Sequence, residues 1–471
     1  MDDPVAVIGG GWAGCAAAVE LARRGLRVVL YESAPVLGGR ARRVLRNGLP
    51  LDNGQHLLLG AYTQTLAIAD MLRADADGPA WPQSLLSMRP LGKDQRNALA
   101  LTARPLPAPY GLALGLLTAS GLSITERLAT LRWFARLRRA GFRVPPGATV
   151  SRMLAPLPPR ARANLWEPLC LAALNTPPAQ ASAQVFANVL AAAFDANAAA
   201  ARIVTPCSDL AQALPEPAAR WLAARGHAVH VSASASIAGL GDPGSGVDIA
   251  VRGRRTRVRA AIVAVGPHQL HRAFAPTLAQ DSPALAAALQ DARRLSYEPI
   301  TTIYLGYAAA YALPRGLVRL DDAPGQWVFD RSDILDRAAA AGAAAAPGNP
   351  RALLAVVISA SGPHGDLAHP ALVRAVDAQL RRSSPGLPAL CWSQVIEERR
   401  ATYACVPGLS RVRCGRLAGR VYLAGDYTFD ELPATLEAAV RSGVTAARAL
   451  ADDVSPGCAG AAAARGSIRA P

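Results

Sequence analysis

The stretch Val5-Ala6-Val7-Ile8-Gly9-Gly10-Gly11-Trp12-Ala13-Gly14 decides how the chain begins. Its opening apolar run, Val5 to Ile8, has the character of a short strand buried on both faces. Glycines then fall at 9, 11 and 14, the spacing G-x-G-x-x-G, and Cys15 to Arg24 reads as a helix with Val19 and Leu21 among small side chains. Gly25 is placed to end that helix, and Val28 to Leu30 reads as a second buried strand. Strand, helix and strand in this order imply two parallel strands joined by a right-handed crossover. In such a unit Gly9 permits the tight turn and Gly11 lets the backbone approach a pyrophosphate. Gly14 allows the helix to pack on the strand, while the helix N-terminus offers partial positive charge.

Working outward, Glu32 ends the second strand where a carboxylate accepts hydrogen bonds from a ribose 2′-hydroxyl and disfavours a 2′-phosphate. Gly38-Gly39-Arg40 gives a second close backbone approach, with a guanidinium able to pair with the same phosphates. This tripeptide, a few residues after Glu32, separates flavoproteins from NAD dehydrogenases, so the expected cofactor is FAD. Near the other end, Tyr422-Leu423-Ala424-Gly425-Asp426 reads as a strand running into a glycine and an aspartate. Asp426 there can accept hydrogen bonds from a ribityl chain or lie by the pyrophosphate. The helix that starts near Ala434 and Thr435 aims its N-terminus at whatever lies beyond the strand.

The chain is 471 residues long, which points to two domains. A middle patch has the same texture as the start: a helix over Leu210 to Arg225, then strands over Ala228 to Ala235, Val247 to Val251 and Ile262 to Val265. Val421 to Ala424 and a helix over Leu436 to Leu450 repeat the pattern. The fold class expected is α/β: a Rossmann-like nucleotide-binding domain assembled from residues 1–80, 200–290 and 400–452. An α+β substrate domain is inserted as residues 81–199 and 291–399, with strands such as Thr301 to Leu305 and Leu353 to Ile358. Ala338 to Pro350 and a tail over 453–471 read as low-complexity surface.

Composition narrows the partners. Hydrophobic residues make up 51% and charged residues 18%, which suits a packed enzyme and excludes a disordered chain. The formal net charge is +16, but Lys93 is the single lysine, and the arginines are spread along the chain apart from clusters such as Arg252, Arg254, Arg255, Arg257 and Arg259. With the abundant alanine, this reads as a compositional bias of the coding sequence; no nucleic-acid-binding module is visible, and if the face is functional an anionic lipid surface is the better match. The seven cysteines form no C-x-x-C pair and no metal-ligand spacing, as in reduced cytoplasmic proteins. No secretory signal is visible at the start, so the expected location is cytoplasmic, with peripheral contact on the inner face of the membrane. Pro105 to Thr125 is uncharged and interrupted by prolines and glycines; a segment at the membrane interface and a buried core helix both fit it.

Taken together, the glycine fingerprint, Glu32, Gly38-Gly39-Arg40 and Ala424-Gly425-Asp426 resemble the FAD-dependent amine oxidase and phytoene desaturase superfamily. Within it, Asp52-Asn53-Gly54-Gln55-His56, Trp166-Glu167-Pro168-Leu169, Leu174-Asn175-Thr176 and Leu432-Pro433-Ala434-Thr435-Leu436-Glu437 resemble the squalene-associated branch, the hydroxysqualene dehydroxylases. The resemblance implies reductive removal of an allylic hydroxyl, giving squalene for hopanoid synthesis, with a long-chain isoprenoid as substrate and an unspecified reductant for the flavin. It places the loop Asp52 to His56 beside the isoalloxazine, with Gly54, Gln55 and Thr435 joining the cofactor set. Loss of the hydroxyl as water needs an acid. His56 and Asp52 are the candidates put forward; Glu167, Asn175, Tyr427 and Asp430 stay open, as does a purely flavin-holding loop. The apolar runs Leu112 to Leu117 and Val185 to Phe194 suit a hydrocarbon tunnel or an ordinary core. An oxidative polyene desaturase and a non-catalytic prenyl-lipid carrier use the same scaffold. An amine oxidase is disfavoured because Lys93 lies in a polar loop.

Overall fold

The computed structural model describes residues 3–74, 81–92, 98–195, 197, 199–205, 209–241, 246–342, 346–360, 362 and 365–454. Lys93 and residues 455–471 of the expected tail lie outside them. Every residue of the strand Val5–Ile8 is buried, because parallel neighbours flank it on both sides: Val28–Tyr31 on one and Ala260–Val263 on the other. The sheet they start has six strands, in the order Ala228–His230, Val28–Tyr31, Val5–Ile8, Ala260–Val263, Val421–Leu423 and Gly415–Ala418, with only the last antiparallel. The helix Trp12–Arg23 lies on this sheet, and the C-terminal helix Leu436–Val454 lies on the helix. Small side chains bring the two together: Ala16, Ala17 and Ala18 are fully buried, and a Cβ at Gly443 would stand 2.1 Å from the carbonyl oxygen of Ala13.

Several boundaries differ from those read along the chain. The expected strand over 228–235 breaks after His230, where Ser232 takes a positive φ of 50°. The turn is held by amides of Ser232 and Ala233 on the carbonyls of Ala34 and Glu32, which no local pattern encodes. The chain then enters a separate antiparallel sheet, Ala235–Gly239, Val247–Val251 and Arg254–Val258, which displays the arginine cluster; Arg257 pairs there with Asp248 at 2.9 Å. The expected helix over 210–225 is two helices, Leu210–Ala213 and Pro215–Ala223, because Pro215 opens the second. Helix Asp333–Ala340 runs into the stretch read as low complexity, and the C-terminal helix extends to Val454.

The intervening stretches build a seven-stranded sheet in the order Leu390–Tyr403, Tyr297–Tyr307, Ala352–Ser359, Trp327–Asp330, Leu317–Arg319, Ser87–Pro90 and Leu101–Thr102. Its three longest strands lie side by side at one end of the sheet and are antiparallel, and Ala352–Ser359 is buried along its whole length. Helices including Tyr110–Leu117, Ile124–Arg139, Glu167–Leu174 and Ala183–Phe194 cover the other insertion. One apolar core joins both parts: Ile8 and Val263 of the nucleotide sheet belong to the same buried cluster as Trp166, Phe186 and Trp327.

Candidate functional site

A cavity of about 1140 Å³ opens where the two sheets meet. One arm is made from backbone. Gly9, Gly11, Gly38 and Gly39 line it, and the amide of Gly38 donates to the carbonyl of Gly10 at 2.9 Å, which sets the second glycine turn against the first. Gly14 serves packing alone: a Cβ there would stand 1.8 Å from the oxygen of Gly9. Gly11 is different. Its φ of −71° suits any residue, and an added Cβ would meet only the Cα of Gly39 at 3.9 Å, so it would project into open cavity. No side chain caps the helix Trp12–Arg23, and its first turn holds no acidic residue. Its first amides are thus left for an external acceptor, as a pyrophosphate requires. Glu32 lines the same arm, its carboxylate fixed by the amides of Gly10 and Ala34, each at 2.7 Å. These features fit the dinucleotide half of FAD.

Arg40 and Asp426, both lining the cavity, are paired with each other at 2.5 Å. The expectation had Arg40 facing phosphate and Asp426 either accepting from the ribityl chain or lying by the pyrophosphate; the structure brings the two side chains together. Arg40 also donates to the carbonyl of Ala401 at 3.0 Å. Burial works against its charge, but Asp426 outweighs that and holds the guanidinium above its ordinary pKa. Gly425 lines the cavity beside Asp426, its amide donating to Ser442 Oγ at 2.8 Å. Thr435, also in the lining, caps the C-terminal helix by accepting from the Ala438 amide at 3.1 Å.

The loop Asp52 to His56 divides in two. Asn53, Gly54, Gln55 and His56 line the cavity; Asp52 does not. Asp52 is buried, accepting from the Leu210 amide at 2.8 Å and pairing with Arg331 at 3.0 Å. The same guanidinium donates to Gln55 Oε1 at 2.6 Å, and the Gln55 amide donates to Thr302 Oγ1 at 3.2 Å. Strands of the insertion sheet and the turn after them therefore fix the loop from behind. The ring of His56 donates from Nδ1 to the carbonyl of Gly54 at 2.9 Å, which leaves Nε2 as the free ring nitrogen. Burial pushes the imidazole below its ordinary pKa, with the Gly54 bond and Asp52 pulling the other way.

Of the remaining acid candidates, Glu167, Tyr427 and Asp430 are not in the lining. Asn175 is, but every polar atom of its side chain is used: Nδ2 donates to Thr402 Oγ1 at 2.9 Å and Oδ1 accepts from the Ala360 amide at 2.7 Å. Its φ of 46° ends helix Glu167–Leu174, so it is a joint between helix and sheet. Sequence reasoning missed Arg331, Glu398 and His268. Glu398 and His268 line the cavity, and Glu398 accepts from Asn53 Nδ2 at 3.0 Å. No spacing signals Arg331 and Glu398, because Asp52 and Asn53, their partners in the loop, lie 279 and 345 positions away.

The other arm of the cavity is apolar, walled by Leu169, Phe186, Val189, Leu317, Trp327 and Phe329. Helix Ala183–Phe194 thus lines the cavity, while Phe186 and Leu190 also pack in the core. The run Leu112 to Leu117 does not; Leu116 is instead in the core behind the wall.

The family described as flavin containing amine oxidoreductase matches residues 12–451. A hydroxysqualene dehydroxylase of Rhodopseudomonas palustris is 29% identical over 454 residues, covering 95% of this chain and 98% of the relative. One from Sinorhizobium fredii is 27% identical with the same coverage of both chains, 95% and 98%. Among solved structures, an oxidoreductase from Methanosarcina mazei superimposes with a TM-score of 0.68 at 14% identity, covering 94% of this chain and 99% of its own, a likeness of fold.

Proposed function

Because this chain belongs to the flavin-containing amine oxidoreductase family and is an FAD-dependent oxidoreductase, we propose that it removes the allylic hydroxyl of hydroxysqualene reductively to give squalene, in hopanoid synthesis. The observation that carries this reading is the continuity of one cavity from the glycine cradle to the apolar wall of Phe186, Leu317, Trp327 and Phe329. A long hydrocarbon can lie against that wall with its hydroxyl end toward the loop at His56. The full-length similarity to hydroxysqualene dehydroxylases supports the choice of substrate over other polyenes.

FAD, when bound and reduced, supplies the hydride. The chain's own residues do the rest. Glu32 would accept hydrogen bonds from the adenosine ribose of FAD, and the first-helix amides would hold its pyrophosphate. The apolar wall excludes water, which would otherwise capture an allylic cation. His56 in its doubly protonated form donates from Nε2 to the departing oxygen while Nδ1 stays on the Gly54 carbonyl. In balance, the C–O bond breaks, the oxygen leaves as water with the His56 proton, and the new C–H bond would take its hydrogen and both electrons as the hydride that reduced FAD would supply. Asp52 acts at one remove, as the buried partner of Arg331. The substrate is apolar enough to reside in lipid, so we place the enzyme at the inner membrane surface during turnover.

The test is anaerobic: purified enzyme, reduced with dithionite, is given hydroxysqualene and the products are identified by mass spectrometry. Squalene is expected. Its absence, together with oxidation of a polyene precursor by the air-oxidised enzyme, would replace this reading with a desaturase.

A further inference from the structure

Outside the cavity, the insertion carries two helices that pack on each other, Tyr110–Leu117 and Ile124–Arg139. The first is turned inward by its glycines: a Cβ at Gly111 would stand 2.4 Å from the carbonyl oxygen of Arg104, and one at Gly115 would stand 2.5 Å from that of Thr102. Tyr110 and Leu114, four residues apart, are left outside with 65% and 40% of their surface exposed. Ile124 and Leu128, spaced alike on the second helix, are 57% and 37% exposed, and Leu106 in the preceding turn is 41% exposed. Five of the nine large exposed apolar side chains among the described residues thus fall within 23 positions of one another. Single exposed hydrophobes are ordinary; a set grouped on one hairpin is not.

The grouping is held rigidly. Arg127 donates to the carbonyls of Leu117 at 2.8 Å and Leu122 at 2.9 Å, bridging the two helices, and Ser123 with Glu126 forms a capping box at the start of the second. Along the outer face of that helix the four-residue stripe continues from Ile124 and Leu128 to Arg132 and Arg136, both exposed and in no ion pair among the described residues. An apolar end followed by unpaired cations is the pattern of a helix that inserts its apolar residues among acyl chains while its arginines meet headgroup phosphates. No described helix is long and apolar enough to cross a membrane, so the contact is interfacial.

The surface also adjoins the site. Thr102, against which Gly115 packs, is followed by Ala103, whose amide donates to the carbonyl of Leu86 at 2.8 Å, and Leu86 lines the cavity. We propose that the hairpin of residues 104–139 is a docking surface for a bilayer containing anionic lipid, seated one strand away from the apolar arm. This deepens the reading above, since it rests on a substrate that dissolves in lipid. A second copy of the chain is the competing occupant; the cations on the stripe favour lipid, because two such faces brought together would repel.

Flavin-loaded full-length enzyme is sedimented with phosphatidylcholine vesicles, with and without phosphatidylglycerol. Leu114→Asp combined with Ile124→Asp is expected to weaken binding to phosphatidylglycerol vesicles by about tenfold or more, and Arg132→Glu with Arg136→Glu to abolish the preference for them over neutral vesicles. Both variants are expected to keep full flavin content and turnover of detergent-dispersed substrate, which excludes misfolding. Parental protein that ignores vesicles overturns the proposal, as do variants that sediment like the parent. A halved solution mass in the variants with unchanged vesicle binding assigns the face to self-association instead. The vesicle assay contains no substrate, so its failure and a failure of the proposed reaction are told apart.

Discussion

Arg40 and Asp426 are 386 positions apart and 2.5 Å from each other. One belongs to the second glycine turn, the other to the end of the fifth strand of the nucleotide sheet, and both line the cavity. The pair closes the cofactor arm. Because Asp426 is buried, removing one partner leaves the other's charge or dipole unpaired. Asp426→Asn is expected to cost about 3 kcal/mol in denaturant unfolding and to release flavin on gel filtration. Unchanged stability with full yellow colour would mean that the pair is incidental.

Gly11 and Gly14 make opposite predictions although both belong to one motif. Gly11→Val places its side chain into open cavity, so the apoprotein should unfold at an unchanged denaturant midpoint while FAD affinity falls by about a hundredfold, equivalent to roughly 3 kcal/mol. Gly14→Val forces the Gly9 carbonyl aside and should lower stability by about 3 kcal/mol or abolish soluble expression. Titration of each apoprotein with FAD, beside its unfolding curve, separates the two effects.

His56 should impose a pH dependence with a definite sign. Burial lowers its pKa from the ordinary value of about 6.5. At pH 7 it is therefore mostly neutral, and the protonated donor accumulates only as pH falls below that value. Turnover of the reduced enzyme should rise from pH 7.5 toward pH 5.5, roughly in proportion to the protonated fraction. Stability runs the other way. The unfolded chain binds this proton more readily, so folding free energy is fully present above about 6.5 and is lost as pH falls below it. Initial rates over short times are needed to keep the two apart. His56→Gln should lower kcat by about a hundredfold and flatten the profile; an unaltered profile assigns the proton to another group.

Arg331 carries the loop on its back. Arg331→Leu leaves Asp52 buried without its cation and Gln55 without its donor. A loss of about 3–5 kcal/mol is expected. The double variant Asp52→Asn with Arg331→Leu should recover part of it. Failure of the double variant to recover any stability would show that the two residues do not act as a pair.

The start of the chain was legible because its logic is local. Four buried residues, three glycines and Glu32 lie within one strand–helix–strand unit, and each has a steric or electrostatic reason that a neighbour supplies. The strand running into Gly425 and Asp426 was legible for the same cause, although the partner of Asp426 was not: nothing near residue 426 names Arg40. The loop at Asp52 divides along this line. Its glycine and glutamine line the cavity, whereas Asp52 turns inward because Arg331, 279 positions later, neutralises it. The insertion sheet was half visible. Thr301 to Leu305 was read as a strand, but the full strand Tyr297–Tyr307 owes its length to two antiparallel partners. Leu112 to Leu117 was read by its apolarity alone. The glycines at 111 and 115 dictate which of its faces turns inward, and that face packs on backbone beside the cavity.

The contact of Gly443 with the first helix has a consequence for how the protein is made. Two strands of the nucleotide sheet, Gly415–Ala418 and Val421–Leu423, and the helix Leu436–Val454 emerge from the ribosome after every residue of the insertion. The nascent chain must keep its first helix with one flank bare until Gly443 and its neighbours have been made. Flavin loading is then expected only once that helix is in place, and a stop codon upstream of residue 440 should yield a colourless polypeptide however complete the loop Asp52 to His56.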